Sequence, residues 1–567
     1  MRVTRRARGV MEGWLLASAA LLVGCEGGTK GESGGAVAGT WSPRRAGTVA
    51  GVAGSEVQAA VAQRLGAARP ASLPEERWKH VQRFYAQYGG VPLWLDESGL
   101  DQSRVEALLR SVLDASNDAL RLDGVPLEEL TRAVRAVRDG RPTAADLAGA
   151  DVLLTSAYVA LAEHLLRGQV DPRSVSKDWY VNARQEHVDT AVARGLRQER
   201  LDSALVRLRP GDEDYAALRR ELAQYRELAR NGGWPTVPAG RALKAGETDA
   251  PARIAALRRR LAAEGFLPAS AAAGGAAYDA VLAGAVAQFQ ARHGIVVDST
   301  LGQETVESMN VPVAFRLGQI AANLERHRWF PRSLGERYIF VNVPAFRVRA
   351  VDSAGQSLEM KVIVGAEFEG RRTPVFADSM EYVVFRPYWN VTPDIQAKEL
   401  EPKIAADPGY MAANNYEYWS DGGTRRIRQK PGEKNSLGLM KFMFPNDYNI
   451  YLHDTPQDDL FDKDVRAFSH GCIRLEKPEE MAQWVLGWDR ARVDAAAQGT
   501  DNNTVRLPRK IPVFIAYFTT YTRDGQLHFG NDLYARDDAL VPQMSAAAYP
   551  SAEAVRALDE IRRLLEG

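Results

Sequence analysis

From about Pro74 to residue 248, apolar side chains recur every three to four positions, the period of a helix that buries one face. Trp78, Val81, Phe84 and Tyr85 make one such stripe. Leu108, Leu109, Val112 and Leu113 make a second, and Leu153, Tyr158, Leu161, Leu165 and Leu166 a third. These stripes predict a helical scaffold over 74–250. A compact unit follows at 251–311. Ile254, Leu257 and Leu261 precede Gly265; Val281, Val286 and Phe289 precede Gly294; Thr305 and Val306 open a third helix. Glycine just past the last periodic residue is a helix stop. A connecting helix is expected over 312–335. After residue 336 the period falls to two, so that alternate side chains face opposite sides of a sheet. Strands are expected at Tyr338 to Val343, around Phe346 to Ala350, at Met360 to Val364, Tyr382 to Phe385, Ile450 to His453, Val513 to Thr519 and Leu527 to Phe529. Short strands separated by Gly and Pro turns imply a sandwich or barrel-like domain, here 336–540. An insertion at about 394–440, with a helix from Ile395 to Ile404 and then a polar Gly/Asn-rich segment, is a lid candidate. A last helix is expected over 541–567. The whole reads as a multidomain α+β protein.

The N-terminus departs from this patterning. Arg2, Arg5, Arg6 and Arg8 precede an apolar stretch from Trp14 to Val23. That stretch is too short to span a bilayer, which needs ~20 residues, but it suits a secretory signal. It ends Leu22-Val23-Gly24-Cys25, which resembles a bacterial lipobox and implies a signal peptide over 1–24 and a lipid on Cys25. Elsewhere no apolar run is expected to reach spanning length. Residues 25–73, rich in Gly, Ala, Ser and Thr, read as a flexible tether, whose ~45 residues would reach ~35–40 Å as a random coil. Glu26 after the cysteine points to the outer membrane where the cell has two. The 567 residues carry 72 basic and 72 acidic side chains, and a zero formal charge gives no basic field for nucleic acid.

The chain has two cysteines, Cys25 and Cys472, so a disulfide framework is excluded and each thiol needs its own explanation. Cys472 stands in Ser469-His470-Gly471-Cys472-Ile473-Arg474-Leu475, and His453-Asp454-Thr455-Pro456 lies upstream. A thiol attacks as thiolate, and an ordinary cysteine near pKa ~8.5 is mostly protonated at neutral pH. A neighbouring histidine supplies the missing base. Glycine before the nucleophile allows close backbone approach, and backbone N–H groups there can stabilise an oxyanion. A lone thiol is a poor structural zinc site. An inert core cysteine would not need the flanking histidines.

The motif resembles that of the L,D-transpeptidases, which carry a histidine and then Ser/Thr-His-Gly-Cys with Arg or Asn two positions on. His453 lies 19 positions before Cys472. Similar segments are Arg372 to Phe376, Pro387-Tyr388-Trp389-Asn390-Val391-Thr392-Pro393, Lys441-Phe442-Met443-Phe444-Pro445-Asn446 and Asp532-Leu533-Tyr534. The unit at 251–311 resembles the three-helix peptidoglycan-binding domain of wall hydrolases, and the overall arrangement resembles the large YcbB-like members with a scaffold and a capping lid. The resemblance implies Cys472 as nucleophile and His453 as its base, oriented by an adjacent backbone carbonyl. It implies an oxyanion pocket of Ser469, His470, Gly471 and Tyr451, and substrate contacts from Arg474, Trp389 and Asn446. It implies acyl transfer from a tetrapeptide stem with loss of D-Ala, forming 3→3 crosslinks with no metal or organic cofactor. Water, free D-amino acids or a lipoprotein lysine are alternative acceptors. A non-catalytic wall-binding lipoprotein would have no use for the His–Cys pair. Implied partners are donor and acceptor stems, a membrane through the lipid anchor, and wall-synthesis proteins. The basic run Arg425 to Lys430 is a candidate clamp for stem carboxylates.

Overall fold

The computed structural model describes residues 47–566 apart from 71–72, 122–124, 182–187, 190–191, 194–200, 274, 356 and 369. Cys25, the signal and most of the expected tether lie outside the described residues. The tether does not extend to residue 73. Gly54–Gly66 is a helix whose Val57 and Val61 are fully buried in the scaffold core. Two valines at i, i+4 in an Ala-rich segment satisfy a helix face but make a thin pattern to read.

The scaffold forms around Ala144–Arg167, a helix with a Thr143/Asp146 capping box at its start and Gly168 in positive φ after its end. Contrary to the expectation, this helix is long and apolar enough to cross a membrane, but its apolar window is 72% buried. Glu75–Gln87 and Gln102–Ala115 pack their predicted faces into the same core, and Leu127–Asp139, for which no stripe is predicted, adds Leu130 and Val134. The unit after 250 has helices Pro251–Ala263, Ala280–Arg292 and Gln303–Met309. Val281, expected to face inward, is exposed; Leu282, Val286 and Phe289 make the buried face. The expected single C-terminal helix is two. Asp537–Ala548 packs beside the connecting helix Val313–Trp329, and Ala552–Glu566 returns to the scaffold core through Ala557, Leu558, Ile561 and Leu564.

The catalytic-side domain is a closed sheet. Its strands are Tyr338–Asn342 (β1), Arg347–Val351 (β2), Ser357–Gly365 (β3) and Phe376–Phe385 (β4). The lid contributes Trp389–Asn390 (β5), Tyr416–Asp421 (β6) and Thr424–Gln429 (β7). Then come Met440–Met443 (β8), Leu452–His453 (β9), Ala467–Ser469 (β10), Ile473–Leu475 (β11) and Asn503–Ala516 (β12). The order β3-β11-β9-β8-β4-β12-β1-β2 closes because β2 also pairs with β3. β9 runs parallel to β11, which brings the His453 and Cys472 segments side by side.

The lid keeps its expected place but not its internal structure. The single helix from Ile395 is broken into a π-turn, Gln396–Leu400, and a short helix, Glu401–Ala406. Pro402 has no N–H to donate to the preceding turn, so the ladder widens there. The Gly/Asn-rich segment folds as the hairpin β6–β7, turned by Gly422 and Gly423 in positive φ. That is the two-residue turn whose twist matches paired strands. β7 pairs with β5, and a small core of Val391, Ile395, Leu400 and Ile427 holds the lid together. Met440 belongs to the barrel, so the insertion ends before it.

Candidate active site

Alternation within three adjacent strands builds the site. Met440 and Phe442 of β8, Leu452 of β9, and Ile473 and Leu475 of β11 are buried in the core. Their neighbours Lys441, Tyr451, His453, Cys472 and Arg474 therefore share the opposite face. Lys441 pairs in register with His453, and His453 with Arg474. The three side chains thus form one row across the sheet, with a cation on each side of the imidazole. Tyr451 and Cys472 make the next row; the Ile473 N–H donates to the Tyr451 carbonyl (3.0 Å).

His453 Nδ1–H donates to the Asp454 carbonyl (2.5 Å). This fixes the tautomer and leaves Nε2 free to accept a proton. Burial first, then Arg474 and Lys441, depress His453 to about 3, against the upward pull of the carbonyl bond. Burial pushes the Cys472 thiol up, while Tyr451, Lys441 and Arg474 pull it back toward the thiolate. The sulfur lies 3.5 Å from the Asn449 carbonyl. These shifts favour the uncharged thiol and the neutral imidazole at neutral pH.

The turn that carries Cys472 is held by side-chain hydrogen bonds. The Ser469 hydroxyl donates to the Cys472 carbonyl (2.5 Å) and accepts the Gly471 N–H (3.1 Å). Thr373 Oγ1 donates to the Gly471 carbonyl (2.8 Å), and the Tyr534 hydroxyl accepts the Thr373 N–H (3.1 Å). Gly471 sits at φ +112, where a side chain would be strained, and a Cβ would lie 3.0 Å from Ile450 Cδ1, which would have to give way.

His470 points away from the thiol row toward the lid. Its ring N–H donates to Glu399 of the π-turn (2.6 Å), and Arg371 reaches the same carboxylate oxygen (2.5 Å). Burial works upward on Glu399, but His470 and Arg371 overcome it and hold the carboxyl below its usual range. Trp389 packs near Tyr416 of the lid hairpin. Arg474 donates to Gln457 Oε1 (2.7 Å), and its Nε is buried without a partner among the described residues.

Asn446 and the basic run Arg425 to Lys430 make contacts of their own within the protein. Asn446 spends its amide within its own loop, donating to the Phe444 and Ile450 carbonyls (2.6 and 2.8 Å) and accepting from the N–H groups of Tyr448 and Ile450. It shapes the turn that presents Asn449 to the sulfur rather than facing a ligand. In the basic run, Arg428 and Lys430 pair with Glu417 (2.6 and 3.8 Å), and Arg425 stacks on Tyr418. The sequence reading assigns no role to Lys441, Glu399, Thr373 or Gln457. Lys441 is accessible to the same alternation that exposes His453; nothing local marks Glu399.

Residues 336–514 match the family described as "L,D-transpeptidase catalytic domain". The chain carries an L,D-transpeptidase catalytic domain. Residues 79–222 match a "Scaffold domain" and 251–309 a "Putative peptidoglycan binding domain". A "Putative L,D-transpeptidase" from Haemophilus influenzae is 32% identical over 239 residues, covering 39% of this chain and 48% of that protein. The chain thus spans about half the length of that relative. A crystal structure of the L,D-transpeptidase (residues 123–326) from Xylanimonas cellulosilytica matches at 14% identity, over 49% of this chain and 98% of that one. Its TM-score of 0.15 is too low to bear on the fold.

Proposed function

We propose that the protein is a peptidoglycan L,D-transpeptidase that forms 3→3 crosslinks through a thioester on Cys472. The row that holds a neutral, oriented His453 beside the nucleophile's strand carries this reading. His453 Nε2 takes the thiol proton as sulfur attacks the carbonyl between the third residue and the terminal D-Ala of a tetrapeptide. The amide C–N bond breaks, the imidazolium returns the proton to the departing D-Ala amine, and a thioester remains. A side-chain amine of a second stem then attacks that thioester and regenerates the thiol. Tyr451, beside the sulfur, and backbone N–H groups of the Gly471 turn are the candidate oxyanion donors. Arg474, with an unused buried Nε, suits a stem carboxylate.

Cys472→Ala is expected to abolish D-Ala release and crosslinking with the fold intact; retained activity on purified muropeptides would sink the mechanism. Mass spectrometry of products from a defined tetrapeptide identifies the acceptor. A tripeptide as sole product would mean hydrolysis instead of crosslinking. The unit at 251–309 is proposed to hold the enzyme on its polymer, and a lipid on Cys25 to hold it at the membrane. Cys25→Ser should release the protein from membrane fractions.

A further inference from the structure

We infer that Lys441 is a positioning residue of this site: it supplies, across Tyr451, the positive charge that balances the Cys472 thiolate. The inference rests on the thiol chemistry proposed above, but not on which acyl acceptor follows.

Lys441 is half-buried on the site face of β8 and has no carboxylate partner among the described residues. A cation removed from bulk water and left without an anion is costly unless something nearby becomes negative. Its ammonium lies 3.8 Å from the Tyr451 ring centroid, within cation–π range, and Tyr451 in turn lies beside the Cys472 strand, where the Ile473 N–H donates to its carbonyl (3.0 Å). In register, Lys441 stands between Val384 of β4 and His453 of β9, with Arg474 of β11 next along the row; Tyr451 and Cys472 lie in the adjoining row, and Tyr382 of β4 is opposite Met443. Within those two rows only Tyr451 and Cys472 can become anionic, and Tyr451 is held well above the usual phenol range by burial. The thiolate is therefore the anion this lysine awaits.

The row also explains why His453 does not fill that role at rest. With Lys441 on one side and Arg474 on the other, a third positive charge on the imidazole is disfavoured. The histidine stays a base, and the field on the thiolate comes from the two fixed cations. Arg474 already donates to Gln457 (2.7 Å), so Lys441 is the less committed of the two.

The test is the pH dependence of Cys472 alkylation by iodoacetamide in the full chain, which needs no peptidoglycan substrate. Removing a cation a few ångströms from a thiol raises its pKa by roughly a unit or more. Lys441→Met should slow alkylation at pH 7 by about tenfold and move the profile to higher pH, and Lys441→Arg should restore most of the rate. An unchanged thermal midpoint would separate this from misfolding. A Lys441→Met profile that superimposes on the wild type, or lies at lower pH, overturns the inference. So does failure of Lys441→Arg to recover the rate while remaining folded. Should the wild type release no D-Ala from stems yet show the alkylation shift, the proposed function falls and the role of Lys441 stands.

Discussion

At the scale of single residues, the site sets its own pH dependence. His453 is held down to about 3 and must be neutral to accept a proton, so it stays competent through the whole range from weakly acidic to alkaline pH. Cys472, whose thiol is pushed up by burial, stays protonated over the same range. In the proposed mechanism the reactive pair of thiol and neutral imidazole is then fully populated, so acylation should be level from about pH 6 to 8, without an acid limb near the ordinary histidine value. A rate that rises about tenfold per pH unit through that range would mean that free thiolate is the attacking species. Gly471 sets the second expectation. At φ +112 a side chain is strained, and Ile450 Cδ1 would stand 3.0 Å from the new Cβ, so Gly471→Ala should shift the Cys472 turn. Acylation should fall on the order of 100-fold, the effect of misplacing a reacting group by about an ångström, while thermal stability changes far less. Cys472 and His453 were legible because the chemistry of a lone thiol demands a base, and a short motif shows both. Glu399 was not, since one carboxylate on a solvated helix has no pattern; only the folded chain brings it to His470.

At the scale of elements, alternation made the barrel strands readable, and it failed where a side chain's face is set by something other than period. Val281 is exposed although it is apolar, because Leu282 beside it carries the helix face. The hairpin β6–β7 was hidden by its polar composition: only Ile427 and Tyr416 enter the small lid core, and the exposed positions carry Tyr418, Ser420, Asp421, Thr424 and Arg425. The folded lid sharpens what its charges do. Arg428 is tied to Glu417 and stacked on Tyr388, so it supports the hairpin rather than reaching a stem. The link from lid to site is Glu399, which joins the π-turn to His470 and Arg371 at 2.6 and 2.5 Å. Glu399→Gln removes the charge but keeps the shape. It should loosen closure, speed the reaction of Cys472 with a bulky thiol reagent severalfold, and raise the ratio of hydrolysed to transferred product as water enters. If the reagent rate and product ratio both match the wild type, the lid is not held by this contact.

At the scale of the whole molecule, the helix Val313–Trp329 joins scaffold to barrel through buried charge. Glu325 accepts the N–H groups of Gln169 and Val170, at the end of the long scaffold helix, and pairs with Arg328 at 2.6 Å. Arg328 continues to the Asp118 carbonyl (2.8 Å) and the Tyr215 hydroxyl (3.0 Å). Two residues before Arg328, on the opposite side of the helix, Arg326 pairs with Asp537 at 2.7 Å and reaches Thr519, just after β12. The sequence foretold a connector but not this role, because charged residues in a helix ordinarily mark its solvent face. Each buried ion here is matched, and that is the condition under which such a network is tolerated. Breaking one member leaves the other charge uncompensated. Arg328→Met should therefore cost about 3–5 kcal/mol, seen as a lower melting temperature, and should split scaffold and barrel unfolding into separate calorimetric transitions. Pairing it with Glu325→Gln removes the stranded charge and should recover part of the loss. If Arg328→Met melts with the wild type, the network is not what couples the two domains, and their apolar contacts alone hold them together.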